Sequence, residues 1–178
     1  MSSAWLNHGE TTIWERGRLR AVLADIEIAG HSRGLHLALR VATAAANCIV
    51  VDGRERVLVL RRYRWITNHW GLELPGGRVD VWESPLEAAV REVREETGWE
   101  VNDAEPLIDT FPTCGLTDHH FYSFRARAAT RSGPPIDLHE ADELLWLTAD
   151  EIRSSLLDGR VRDGFAYSAL SRHMLEQV

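Results

Sequence analysis

Gly77-Arg78-Val79-Asp80-Val81-Trp82-Glu83-Ser84-Pro85-Leu86-Glu87-Ala88-Ala89-Val90-Arg91-Glu92-Val93-Arg94-Glu95-Glu96-Thr97-Gly98-Trp99 holds the clearest helix of the chain. Ser84 is a good N-cap, and Pro85 suits the first helical position. Glu87 follows three residues later, the spacing of a capping box. Gly98 supplies the stop. Leu86, Ala89, Val90 and Val93 share one stripe, the face that packs on a sheet. Beside that stripe Glu92, Glu95 and Glu96 occupy one arc, with Glu92 and Glu96 one turn apart. Like charges so placed repel. Two readings follow: a solvated face eased by Arg91 and Arg94, or a site for a hard cation such as Mg²⁺, which takes carboxylate oxygens and keeps room for water and phosphate.

Outward from the helix, the chain falls into short apolar segments separated by turns. An alternating stretch from Gly17 to Ile28 predicts a strand, with a turn at Gly30–Gly34 and a second strand over Leu35–Val41, together a small antiparallel unit. Ala44–Val51 is an apolar run closed by the hairpin signal Asp52-Gly53, answered by Val57–Arg62. Leu72–Leu74 is a short strand broken by Pro75-Gly76-Gly77. Further strands are expected at Leu107–Phe111, Phe121–Ala126 and Leu144–Leu147. Helices are expected over Ala149–Leu157, capped by Thr148, and over Ala166–Glu176. Mixed strands with helices at separate places predict an α/β sandwich.

The 178 residues suit one domain-sized core, with 44% hydrophobic and 26% charged residues. A net charge of −7 argues against non-specific binding to nucleic acid or to an anionic membrane. An acidic protein that handles phosphates must gather cations locally, from arginines or from metal. Cys48 lies in an apolar run and Cys114 in a Pro/Thr/Gly loop, and neither fits a zinc spacing. No apolar run approaches the roughly 18 residues of a membrane span, and residues Met1–Asn7 do not have the pattern of a secretory leader, so a cytoplasmic protein is expected.

The spacing around the helix separates the two readings of its glutamates. Gly77 is followed after five residues by Glu83, after seven more by Arg91-Glu92-Val93, then by Glu95-Glu96 and Gly98. Chance agreement of such a set is on the order of 10⁻⁸ per start position at ordinary residue frequencies. This resembles the Nudix box, with Trp99 in place of the usual terminal aliphatic residue, which predicts an altered core contact. The runs Arg61-Arg62-Tyr63-Arg64 and Trp70-Gly71-Leu72-Glu73-Leu74-Pro75-Gly76-Gly77, the extra N-terminal strands and the stretch Glu140–Leu170 are similar to the ADP-ribose pyrophosphatase branch of that family.

The resemblance implies a Nudix α/β/α sandwich with a mixed sheet over residues 43–178 and an N-terminal β extension over 1–42 that can pair two subunits, with Trp5, Trp14 and Leu19 at the interface. It implies Mg²⁺ or Mn²⁺ held by Glu92, Glu95, Glu96 and the Gly76 carbonyl, with Arg91 tying Glu83 to the helix. Arg62, Arg64 and Glu73 would contact substrate; the alternative for the arginines is a solvated strand edge. The general base would lie in the acidic segment before the last strand, with Glu140 favoured, then Glu143, beside Asp142; the alternative is that these are solvating charges. The implied substrate is a small nucleoside diphosphate derivative, ADP-ribose or a nucleotide sugar, cleaved to a nucleoside monophosphate and a sugar phosphate. The alternatives are a pyrophosphatase of nucleoside triphosphates and a non-catalytic nucleotide sensor. Two departures bear on substrate: Cys114 stands where that branch often has proline, and His119 where an acidic residue is common.

Overall fold

A computed structural model of the chain describes residues 5–134 and 143–177. Backbone contacts group them into two compact units. One takes the N-terminal chain up to Thr43 together with Phe111–His120, and the other takes Ala44–Thr110 with the chain from Phe121 onward.

The first unit is a three-stranded antiparallel sheet of β1 (Trp5–Arg16), β2 (Leu19–Ile28) and β3 (Ser32–Val41), in that order. Gly17 and Gly30 take positive φ at the two turns, as tight reversals require. The segment Phe111–His120 is tied to β3: Leu39 N–H donates to the Leu116 carbonyl at 2.8 Å, and Val41 N–H donates to Asp118 Oδ1 at 2.9 Å. Arg40 bridges Glu10 of β1 and Asp118. The strand β1 has no counterpart in the sequence reading. All twelve of its residues are exposed and its register slips at two places, so it carries no clean alternation to read.

The second unit is a seven-stranded mixed sheet. Its strands are β4 (Ala45–Val51), β5 (Val57–Arg64), β6 (His69–Glu73), β7 (Gly76–Arg78), β8 (Trp99–Thr110), β9 (Phe121–Arg131) and β10 (Glu143–Leu147). The path runs β10-β5-β4-β9-β8, with β6 on β5 and β7 on β4. Only β4 and β9 pair in parallel among these strands. All seven residues of β4 are buried, which explains its near-continuous apolar run: both faces are covered. Ile49 and Val51 pack with Ile152 of α2 (Ala149–Leu157) and Ala169 and Leu170 of α3 (Gly164–Leu175). Ala46, Cys48 and Val50 pack with Ala88, Ala89 and Val93 of α1 (Pro85–Thr97). The α/β/α layering follows from this alternation.

Helix α1 has the ends its residues predict. The Ser84 side chain accepts from Glu87 N–H at 3.3 Å, and Glu87 accepts from Ser84 N–H at 2.7 Å. Gly98 closes the helix at φ 72°, where a Cβ would meet the Gly133 carbonyl. Val93 is fully buried, a contribution of about 1.5–3 kcal/mol relative to exposure. Trp99 packs edge-on against Trp146 of β10, with ring centroids 5.5 Å apart, so the departure at the end of the motif becomes an aromatic core contact. Strand β8 is much longer than the expected Leu107–Phe111. It lies at the end of the sheet order and has three register shifts, one beside Pro106, and edge strands admit proline at such irregularities. Pro75-Gly76-Gly77 does not simply end β6, because Gly76–Arg78 continues as β7 against β4. Cys48 is buried and Cys114 exposed, both as free thiols, and burial pushes the Cys48 thiol up to about 12. Among the described residues no helix is long and apolar enough to cross a membrane.

Candidate active site

The polar arc of α1 meets the Gly76–Gly77 backbone. Asn47 of β4 and Gly76 of β7 are cross-strand partners, which presses β7 down beside the helix. Gly76 N–H donates to Glu96 at 2.9 Å. A Cβ on Gly77 would displace the Glu92 carboxylate, and a Cβ on Gly76 would stand 2.5 Å from the Ala46 carbonyl oxygen, so glycine is required at 76 for the turn to pass there. Two of the three motif glutamates are thus in contact with one short stretch of backbone.

Arginines hold several of the carboxylate oxygens. Arg91 grips Glu83 through Nε at 3.1 Å and Nη2 at 2.8 Å, and its Nη1 reaches both Glu92 and Glu95 at 2.9 Å. Its Nη2 also donates to the Arg78 carbonyl at 3.0 Å, so one side chain ties the loop between β7 and α1 to three acids. These acids raise the Arg91 pKa further above its ordinary value, chiefly through Glu83. Glu96 is a different case. It is 4% exposed and accepts from Arg62 Nη2 at 2.6 Å. Burial pushes its carboxyl up to about 7 despite Arg62, which marks a buried acid short of compensating positive charge.

The substrate-contact candidates lie beside this group. Arg62 is buried against Glu96, with Glu73 at 3.9 Å, and is not a solvated strand-edge charge. Arg64 is half-exposed and clasps the buried Glu73 through Nε at 2.8 Å and Nη2 at 2.5 Å. Glu143 opens β10, exposed, opposite Arg61 in the strand register. Glu140 and Asp142 lie outside the described residues. Next to the Gly76–Gly77 turn is a cavity of about 480 Å³ whose lining includes Arg64, Arg78, Arg162, Asn47 and Phe165. Asp163 caps α3 there by accepting from Ala166 N–H at 2.8 Å, and burial raises its carboxyl pKa. Asn47, Arg162, Asp163 and Phe165 were not among the sequence candidates. For Asn47 a signal existed, as the lone amide inside an otherwise apolar and small-residue strand.

The donor chemistry fits a hard divalent cation: carboxylate oxygens against a backbone that only glycine permits, one of them buried and short of positive charge. Among the described residues no three His, Cys, Asp or Glu side chains form a ready-made cage. Glu92 and Glu95 converge on Arg91, while Glu96 is held separately by Arg62.

The Glu83–Arg91 pair gives a pH prediction. Arg91 holds the Glu83 carboxyl below its ordinary 4.5. Its stabilisation is therefore full above 4.5 and drains as pH falls through the lowered value. Thermal unfolding of wild type and Glu83→Gln should show a gap that is widest above that value and narrows in acid; a gap independent of pH would refute the pairing as a source of stability.

Comparison with known proteins agrees with this geometry. The NUDIX domain family matches residues 41–167. The CMP-5'-(N-acetyl-N-hydroxy-3-aminopropyl)phosphonate hydrolase of Streptomyces rubellomurinus is 36% identical over 168 residues, covering 94% of this chain and 81% of that one. The ADP-ribose pyrophosphatase of Mycobacterium tuberculosis is 26% identical over 129 residues, 71% of this chain and 62% of that one. A crystal structure of an ADP compounds hydrolase shares the fold at TM-score 0.83 and 18% identity, covering 97% of this chain and 92% of the other. Nudix hydrolases generally use divalent metal ions. With its glutamate helix, its glycine turn and these relatives, the chain belongs to the Nudix hydrolase family.

Proposed function

We propose that the protein is a Mg²⁺- or Mn²⁺-dependent hydrolase of a nucleoside diphosphate linked to a second group, with ADP-ribose or a nucleotide sugar as substrate. The observation that carries this reading is the set of α1 carboxylates held against the Gly76–Gly77 backbone beside a cavity with Arg64, Arg78 and Arg162 in its lining. Here the acidic chain concentrates the positive charge that phosphates require.

Glu92, Glu95, Glu96 and the Gly76 carbonyl would hold the metal. When bound it supplies charge neutralisation of the diphosphate and lowers the pKa of a coordinated water. Arg91 keeps Glu92 and Glu95 on one side of the helix and fixes the loop through Glu83. Arg64, oriented by Glu73, offers a charged fork to a phosphate oxygen. Arg62 neutralises Glu96 and holds it facing Gly76. The N-terminus of α3 adds backbone donors at the same cavity. Glu140, and after it Glu143, would take the proton from the attacking water, and the leaving phosphate departs opposite to the attack.

Incubation with Mg²⁺ or Mn²⁺ and a panel of ADP-ribose, nucleotide sugars, dinucleotides and triphosphates tests this reading. Turnover of the first two classes is expected, with Glu95→Gln and Glu96→Gln lowering it by orders of magnitude while the fold is kept. Turnover confined to triphosphates, or near wild-type rates in those variants, would contradict it, and tight binding without turnover would indicate a sensor. A second reading is supported by the Streptomyces relative: the group beyond the nucleotide is a phosphonate in a CMP adduct. Preference for such an adduct over ADP-ribose in the same panel would favour it.

The same proposal includes a cytoplasmic homodimer, with residues 1–42 as the pairing extension and 43–178 as the hydrolase domain. Trp5, Leu6, Ile13 and Trp14 are exposed along β1, apolar surface that a second subunit would cover. Light scattering should give twice the chain mass at micromolar concentration; a monomer would count against the pairing.

A further inference from the structure

A row of alternating charges joins the glutamate helix to the cavity. Arg62 and Arg64 stand two apart on β5 and so share a face of the sheet. Glu73 of β6 lies on that face too, set there by its register opposite Leu60. Arg62, Glu73 and Glu96 are buried, whereas the Arg64 side chain is 50% exposed. Arg62 Nη2 donates to Glu96 Oε1 at 2.6 Å, and Arg62 Nη1 stands 3.9 Å from Glu73 Oε2. That Glu73 oxygen accepts from Arg64 Nη2 at 2.5 Å, and Arg64 Nε donates to the other at 2.8 Å. The contacts therefore run Glu96, Arg62, Glu73, Arg64, from the helix outward.

Two details couple the ends of this row. Both oxygens of Glu96 are in use, one by Arg62 and one by the Gly76 N–H. A cation taken up at Glu96 competes with Arg62 for the same carboxylate, and like charges repel strongly where water is excluded. Arg62 also has a second carboxylate in reach. A shift of about 1 Å turns its approach to Glu73 into a hydrogen bond. Glu73 Oε2 is then shared between two guanidinium groups, and the Arg64 clasp weakens. That clasp uses Nε and Nη2, a paired edge of the kind that suits a phosphate. Arg64 has access to solvent and lines the cavity, so it is the member of the row able to turn away.

We infer that Arg62 is a positioning residue that makes the phosphate grip of Arg64 depend on the state of Glu96. With Glu96 holding Arg62, Arg64 stays closed on Glu73. With Glu96 engaged by a cation, Arg62 moves onto Glu73 and Arg64 is released toward the cavity. Binding is thereby ordered, cation before phosphate. The inference rests on the readings of Glu96 as a metal ligand and Arg64 as a phosphate contact, and adds the residue that couples them.

Nuclear magnetic resonance of the arginine Nε–H groups tests it without substrate or turnover. The Arg64 signal is identified by its loss in Arg64→Lys. In metal-free protein Glu96→Gln removes the charge that holds Arg62. The Arg64 signal should then move toward that of exposed arginines and exchange with water several-fold faster. Saturating Mg²⁺ should move the wild-type signal the same way. In an Arg62→Gln background neither change should move it further. Arg62→Lys, whose single nitrogen cannot serve both carboxylates in the same way, takes that place if Arg62→Gln does not fold; if neither folds, the comparison of wild type with Glu96→Gln decides. An Arg64 signal unmoved by Glu96→Gln in the folded protein overturns the inference, as does equal movement with and without Arg62. Movement with Glu96→Gln but none with Mg²⁺ would contradict Glu96 as a metal ligand while supporting the coupling through Arg62, so the two failures are distinguishable.

Discussion

Two successive glycines let the chain between β6 and α1 run in contact with carboxylates on the helix, and the arrangement of the site depends on that approach. Gly76 gives its N–H to Glu96, and Gly77 leaves space that the Glu92 carboxylate fills. A side chain at Gly76 would push β7 off β4, and one at Gly77 would displace the Glu92 carboxylate. The requirement also explains the packing beneath: Gly76 pairs with Asn47 in the centre of the sheet, where both faces of β4 are covered. The helix is placed by its buried alanines and Val93 on one side of the sheet, and its capping box sets where its polar arc begins. Fold and site are therefore coupled through a few atoms of close backbone contact.

The charges show how an acidic protein tolerates three glutamates on one arc. Arg91 takes Glu83, Glu92 and Glu95 together, and Arg62 takes Glu96 from the sheet side. These arginines offset the mutual repulsion that would otherwise weaken the helix. Glu96 remains the uneasy member, with its carboxyl pushed up to about 7 by burial even with Arg62 in contact. A buried acid kept in that condition suits a place where additional positive charge is expected to bind. Arg64 and Glu73 form a second, more exposed pair at the cavity, where the guanidinium stays half in solvent.

Much of this was legible in the sequence where local chemistry is strong. Ser84, Pro85, Glu87 and Gly98 mark α1 to within a residue, and Thr148 does the same for α2. The glutamate spacing located the metal-binding candidates because helical periodicity converts spacing into a shared face. The misses have physical reasons. Strand β1 carries no buried residue to give alternation, and β8 is an irregular edge strand interrupted by Pro106. The linear reading makes Arg62 a substrate contact, with a solvated strand edge as the alternative, because nothing in it reveals that this side chain meets Glu96. Asn47 was hidden within an apolar run, where one amide reads as a tolerated exception until the cavity beside it is seen. Phe121 and Phe165, brought together by the parallel β4–β9 pairing and the start of α3, depend on tertiary contacts that no local pattern encodes.

The central claim is that the α1 glutamates, set against the glycine turn, bind a divalent cation. Titration with Mn²⁺ followed by its free-ion electron paramagnetic resonance signal tests this most directly. Wild-type protein should deplete the free signal, and a protein carrying Glu92→Gln, Glu95→Gln and Glu96→Gln together, checked for folding by circular dichroism, should not. Equal depletion by the two proteins would contradict the claim, as would no depletion by the wild type.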